Sequence, residues 1–212
     1  YGMYLYFGIY GDWLLAMPGI YTEVKLYSLA DPCHPQLVGT HDLGFVAGPA
    51  KAWGDYLLVA GQGKFAVLSI ADDGTVQTVG SVDVPGGVLV MSFDVHGLAP
   101  YAYLGCGSAG IVVVDLTDPA SPTVVTTVDA DARQLVAVGN RLFVAGADKV
   151  AVFSISNPAA PTFLSECSPP TKAHVPVGAA YLSSYVRVAW VNGYVETYRI
   201  SQTGQVEWVA GI

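Results

Sequence analysis

Residues 111–125 read IVVVDLTDPASPTVV. Four β-branched residues lead into Asp115, a turn carrying Pro119 and Pro122 follows, and a second β-branched run begins at Thr123. β-Branched side chains are stiff at χ1 and suit a pleated strand, while Pro presets the backbone of a turn. The stretch therefore reads as strand, turn, strand.

The same unit recurs along the chain, as EVKLYSLADPCHPQLVGT, FAVLSIADDGTVQTVGS, VAVFSISNPAAPTFLSE and VETYRISQTGQVEWVAG. The last apolar residue before each turn falls at Leu29, Ile70, Leu116, Ile155 and Ile200, with spacings of 41, 46, 39 and 45 residues. Two further strand-like runs precede each anchor: DWLLAM, DYLLVAG, YAYLGCG, RLFVAG and YVRVAW, and before them LYFGIYG, PAKAWG, VMSFDVHG, QLVAVGN and GAAYLSS. Each repeat thus holds four short strands. Five repeats give about twenty strands and leave no room for a helix.

The joints between strands have the chemistry of tight turns. Gly11-Asp12, Gly54-Asp55 and Gly139-Asn140 separate first from second strands, where a two-residue turn needs positive φ and an Asx side chain can bond the backbone. Asp31-Pro32, Asp118-Pro119 and Asn157-Pro158 separate third from fourth strands; Asp73-Gly74 and Thr203-Gly204 take that place in the second and fifth repeats. Third-strand columns such as Val24, Phe65, Ile111, Val150, Val195 and Tyr27, Leu68, Val114, Phe153, Tyr198 are nearly all apolar, which predicts sheets covered on both faces.

Four-stranded antiparallel sheets recurring every 40 to 50 residues predict an all-β fold, a β-propeller of five blades at about 1–41, 42–82, 83–128, 129–167 and 168–212, forming one domain. The first segment reads as a first strand and the last as a fourth, and an open arc would leave two apolar faces in water. A closed ring is accordingly expected over an arc of a larger one.

VVVDLTDPASP and AVFSISNPAAP, each following an aromatic strand (YAYLG, LFVAG), resemble the LVIVD repeat. The third and fourth repeats match it well, the first two partly, and the fifth poorly, since SQTGQ replaces the Asp-Pro turn. This resemblance implies a propeller of an exported or cell-surface prokaryotic protein, extracellular or periplasmic.

Composition excludes some functions. The chain of 212 residues is 12% charged and 52% hydrophobic, with net charge −8 and its nine Lys and Arg scattered singly, so a nucleic-acid backbone would be repelled. No apolar run approaches the roughly 20 residues of a spanning helix, so no membrane span is expected. Cys33, Cys106 and Cys167 are too far apart for a CxxC metal pair, and an odd number cannot all pair internally; buried free thiols are expected. The chain opens on Tyr1 with no charged and apolar leader before it, as in a piece processed or excised from something longer.

Propellers bind where second-to-third-strand turns and blade connections converge. In this chain those segments offer His41, Asp129, Asp131, Arg133 and His174, with Trp190 and Tyr194 flanking a VNG turn as possible sugar-stacking rings. Asp129 and Asp131 alternate as two oxygen ligands could, but an EF-type loop needs a longer run of ligands. His41 and His174 sit in different connections without HxH or HxxxH spacing, so no metal site and no cofactor is expected. GCGSAG at 105–110 has no nucleophile elbow, and GQGK lacks phosphate-loop spacing. A funnel glycosidase needs paired carboxylates on inward strands, and Lys51, Met91 and Val136 stand where they would be expected. The expected function is a non-enzymatic module presenting loops to a protein or glycan partner. A structural subunit of a larger complex or filament is the alternative, and a glycosidase-like enzyme a more distant one.

Overall fold

The computed structural model describes residues 5–18, 21–170, 175–182 and 184–212. Twenty strands form five four-stranded antiparallel sheets, each a meander of sequence neighbours. Blade 1 holds β1 (Leu5–Tyr10), β2 (Trp13–Pro18), β3 (Glu23–Ser28) and β4 (Gln36–Asp42). Blade 2 holds β5 (Ala47–Trp53), β6 (Tyr56–Gly61), β7 (Lys64–Ile70) and β8 (Val76–Asp83). Blade 3 holds β9 (Ser92–Val95), β10 (Tyr101–Gly105), β11 (Ile111–Asp115) and β12 (Thr123–Val128). Blade 4 holds β13 (Gln134–Val138), β14 (Arg141–Ala145), β15 (Val150–Ser154) and β16 (Thr162–Cys167). Blade 5 holds β17 (Pro176–Leu182), β18 (Tyr185–Trp190), β19 (Val195–Ile200) and β20 (Val206–Gly211). Among the described residues the one helical element is a 3-10 turn at Pro85–Gly87, and no helix is long and apolar enough to cross a membrane.

The turn chemistry read from sequence is present. Gly11, Gly54 and Gly139 take φ of 53°, 54° and 54° in the first turns. In the third-to-fourth-strand turns, Asp31 Oδ1 accepts from the amide of Cys33 and Asp118 Oδ1 from that of Ala120, both at 3.0 Å. Asp73 does the same for Thr75 at 2.8 Å, with Gly74 at φ 84°.

Two compact units divide the chain: residues 1–90 with 116–124, and residues 91–115 with 125–212. In the first, β1 lies beside β5, and Leu15, Met17, Val24 and Leu26 of blade 1 pack on Leu57, Val59 and Leu68 of blade 2. In the second, β13 lies beside both β9 and β17. One core there joins Tyr103, Ile111 and Val113 to Leu142, Val144 and Phe153; another joins Phe143, Val150 and Val152 to Val186, Val188 and Tyr198. Fully burying each such side chain contributes about 1.5–3 kcal/mol.

A second contact recurs between consecutive blades: the third-to-fourth-strand turn of one blade seats against the blade before it. A Cβ on Gly74 would lie 2.7 Å from Val38 Cγ1 of β4, and one on Gly80 of β8 would lie 2.4 Å from the carbonyl oxygen of Pro119. In the second unit Tyr103 Oη donates to the Pro158 carbonyl at 3.1 Å, and Ser165 Oγ donates to the Gly204 carbonyl at 2.8 Å. The outer strands β4, β8 and β16 are bulged at this seat, where the β3–β4, β7–β8 and β15–β16 registers each shift, and β19–β20 carries a register shift as well. Pro119 of the opening stretch thus bears on packing as well as on the turn.

The expectation of sheets covered on both faces holds for β7, β11 and most of β15, but not for β3 and β19, where buried residues alternate with partly exposed ones. Tyr27 and Val195, members of the apolar columns, are only half-buried. Blade 1 also leaves Phe7 and Ile9 of β1 exposed. The expectation that the cysteines are buried is corrected as well: all three are free, but Cys33 is exposed in its turn, Cys167 is half-buried, and Cys106 alone is fully buried.

Candidate functional site

The connection from β12 to β13, residues 129–133, is pinned on both sides within the second unit. Gly107 and Ala132 exchange backbone hydrogen bonds of 2.7 and 2.9 Å, and the amide of Arg133 donates to the Ala145 carbonyl at 3.0 Å. Gly146 is required by this approach, since a Cβ there would lie 2.6 Å from the Asp131 carbonyl oxygen. Arg133 turns back onto Asp131, its Nε donating to Oδ1 at 3.1 Å and Oδ2 at 3.3 Å. The amide of Ala147 donates to the same Oδ2 at 2.8 Å. Asp131 is therefore held by groups of its own fold, and the paired-ligand reading of Asp129 and Asp131 gives way to one fixed and one exposed carboxylate.

Beside this connection lies a pocket of about 260 Å³ lined by Asp129, Asp131, Asp148, Lys149, Phe163 and Glu166, with further apolar walls. Lys149 Nζ, in the turn just before β15, donates to Glu166 Oε1 of β16. Phe163 stands edge-on to Phe153, ring centroids 5.8 Å apart at 78°, and more than half of its surface is open to solvent. The rim thus combines carboxylate acceptors, one ion pair and an aromatic wall, which suits a ligand bearing hydroxyl or ammonium groups. Among the described residues no group of three or more His, Cys, Asp or Glu could hold a metal ion.

The remaining sequence candidates lie elsewhere. His41 is a residue of β4, not of a connection, and its Nε2 lies 3.1 Å from Thr78 Oγ1 of β8, a contact between outer strands of the first unit. Trp190 is 3% exposed, in the core between blades 4 and 5, so it offers no stacking face. Strand periodicity in YVRVAW puts it on the same side as Val186 and Val188, the signal that could have excluded it. Tyr194 is exposed beside the turn closed by the Gly193 amide on the Trp190 carbonyl, 3.0 Å. His174 lies outside the described residues. Sequence reading missed Glu166 and Phe163, which neighbour the pocket only through pairing of β15 with β16. It also missed Asp94 on β9, an acid on a first strand that is buried against the backbone of blade 4.

The LVIVD repeat model matches residues 93–130 and 129–168, and the two matches meet at the Asp129 connection. The chain is a β-propeller that carries two LVIVD repeats. The matched residues take in nearly all of blades 3 and 4, whose sequences carry the fullest copies of the repeat. Solved structures extend the likeness to nearly the whole chain. A protein from Lactobacillus plantarum shares 17% identity with TM-score 0.82, over 98% of this chain and 70% of that one. A Bacteroides fragilis protein named as a candidate 6-phosphogluconolactonase shares 17% with TM-score 0.79, over 98% and 69%. The β-propeller domain of Myceliophteria thermophila Cps50 (Swd1) shares 15% with TM-score 0.71, over 98% and 70%. At these identities the likeness is one of fold. No curated protein matches this chain.

Proposed function

We propose that this LVIVD-repeat propeller is a non-enzymatic binding module that presents its blade-4 pocket to a protein or glycan partner, in an exported or cell-surface setting. The observation that carries the reading is the pocket beside the Asp129 connection, where Asp129 and Asp148 stand at the rim next to exposed Phe163 while Arg133 and the Ala147 amide hold Asp131. A rigid, prepaired surround lowers the cost of ordering on binding. Support for the setting comes from the repeat alone. The lactonase name of the Bacteroides fragilis neighbour belongs to a chain 17% identical, and it gives no residue of this chain a catalytic role.

The test is a glycan array together with capture from surface extracts, comparing the parent with Asp129→Asn/Asp148→Asn and with Phe163→Ser. The parent is expected to retain a specific glycan or protein that both variants lose at least tenfold. Retention of nothing by the parent, or equal retention by all three, overturns the reading.

A second reading, a structural subunit of a larger assembly, is favoured by Phe7 and Ile9 of β1, which stand in solvent on the open face of blade 1. Sedimentation at rising concentration distinguishes it: association abolished by Phe7→Lys/Ile9→Lys supports a subunit, and a monomer throughout excludes it.

A further inference from the structure

The strand turns at the other end of blades 4 and 5, opposite the Asp129 pocket, enclose a second pocket of about 260 Å³, lined by Asn140, Arg141, Tyr181, Ser184, Ser201 and Gln202 with two aliphatic residues. Arg141 begins β14 and is fixed in place. Nη1 donates to the carbonyl of Asn140 at 3.3 Å and to its Oδ1 at 2.9 Å, and Nη2 donates to the Gln202 carbonyl at 3.2 Å. A guanidinium has five N–H groups, and these bonds use three. Nε is buried and has no hydrogen-bond partner among the described residues.

The charge of this pocket is unusual for the chain. Acids outnumber Lys and Arg by 17 to 9. Arg133, Lys149, Lys64 and Arg199 each pair with a carboxylate. Among the described residues Arg141 instead meets only neutral oxygens, and no Asp or Glu lines its pocket. Such a cation, already ordered and partly desolvated, gains most from a carboxylate, because charge-assisted hydrogen bonds are about twice as strong as neutral ones. The net charge of −8 opposes an anion only at long range, where a Debye length of about 8 Å at physiological salt screens it.

The rest of the lining narrows the ligand. Two hydroxyls and two amides supply both donors and acceptors, and Tyr181, 44% exposed, offers an aromatic face. Hydroxyl-rich rings with one carboxylate meet all three demands, and the volume fits a single ring. We propose that this pocket binds an acidic sugar unit, its carboxylate on Arg141 and its ring against Tyr181. The site is separate from the Asp129 pocket and stands or falls independently of it.

The probes are D-glucuronate and its neutral counterpart, glucose, titrated into the 212-residue protein by NMR and calorimetry. Glucuronate is expected to bind saturably in the millimolar range and to shift the amides of Gln202 and Ser201, with glucose at least tenfold weaker. Tyr181→Ala, at an exposed position, is expected to weaken glucuronate at least fivefold, and Arg141→Gln to abolish the preference over glucose. Because Arg141 also ties β14 to the Gln202 turn, its variant is read only where its circular dichroism matches the parent; Tyr181→Ala carries the test otherwise. No saturable binding of glucuronate, equal binding of glucose, or undiminished binding by Tyr181→Ala overturns the proposal.

Discussion

The carboxylate of Asp94 in β9 accepts a 2.9 Å hydrogen bond from the backbone amide of Ala137 in β13, joining the first strands of consecutive blades. Asp94 is 8% exposed, and its other oxygen accepts from the amide of Val95 at 2.9 Å. Removing it leaves two half-buried donors without this partner, which costs about 1–3 kcal/mol. Asp94→Ala is expected to lower the unfolding free energy obtained from urea denaturation by that amount, and Asp94→Asn, which keeps one acceptor, by about half. A midpoint unchanged in Asp94→Ala would show that water satisfies these amides.

The seat between outer strand and following turn predicts unequal effects at two glycines. A Cβ on Gly80 would meet the Pro119 carbonyl oxygen at 2.4 Å and Ala120 backbone at 2.7 Å, whereas one on Gly39 meets nothing within 4 Å. Backbone on both sides cannot yield cheaply, so Gly80→Ala is expected to destabilise by about 1–3 kcal/mol. Gly39→Ala is expected to be nearly neutral. Urea denaturation of the pair measures the difference, and equal midpoints contradict the packing.

Thiol reactivity follows burial. Burial pushes the Cys106 thiol up to about 11, and burial aided by the Glu196 charge pushes Cys167 up to about 11. The thiolate is the reactive form, so neither reacts readily near neutrality. With Cys33 exposed, Ellman's reagent at pH 8 is expected to find one fast thiol in the native protein and three after unfolding. Three fast thiols in the native state would be inconsistent with these blades.

At Asp73 the amide of Thr75 donates to the ionised carboxylate, with the Thr75 hydroxyl adding a second bond, and the carboxyl is held below its ordinary value. The folded value is the lower one, so this contribution is fully present above the unfolded value of about 3.9 and fades as pH falls through the folded one. An NMR titration is expected to give Asp73 a midpoint under 3.9. The stability gap between parent and Asp73→Ala is expected to close below that midpoint, and a gap independent of pH from 2 to 7 would refute the bond.

Much of the fold was legible because its causes are local. The Gly-Asx and Asx-Pro joints set turns by backbone geometry and short-range hydrogen bonds, and the recurring apolar runs marked twenty strands, all of them present. Each sheet uses contiguous chain, a meander of sequence neighbours. Burial was less legible. In β19, Glu196 is buried on the same face as Tyr198, its hydrogen-bond donor, while Thr197 between them is half-buried, a pattern hydropathy alone does not give.

The sites divide along the same line. Asp129, Asp131 and Arg133 were found because they are adjacent in the chain, but their roles were not, since whether a carboxylate is exposed or bound depends on the Ala147 amide and Gly146 from another strand pair. Trp190 looked like a platform and is core; Glu166 and Phe163 looked like ordinary strand residues and line a pocket. Sequence by itself determined the repeat, its turns and its sheets, which are satisfied within about 45 residues. Only the tertiary structure decided which charged groups pair with a carboxylate and which, like Arg141, meet only neutral oxygens, because that depends on strand register and on which side chains reach one another across a blade, not on proximity along the chain.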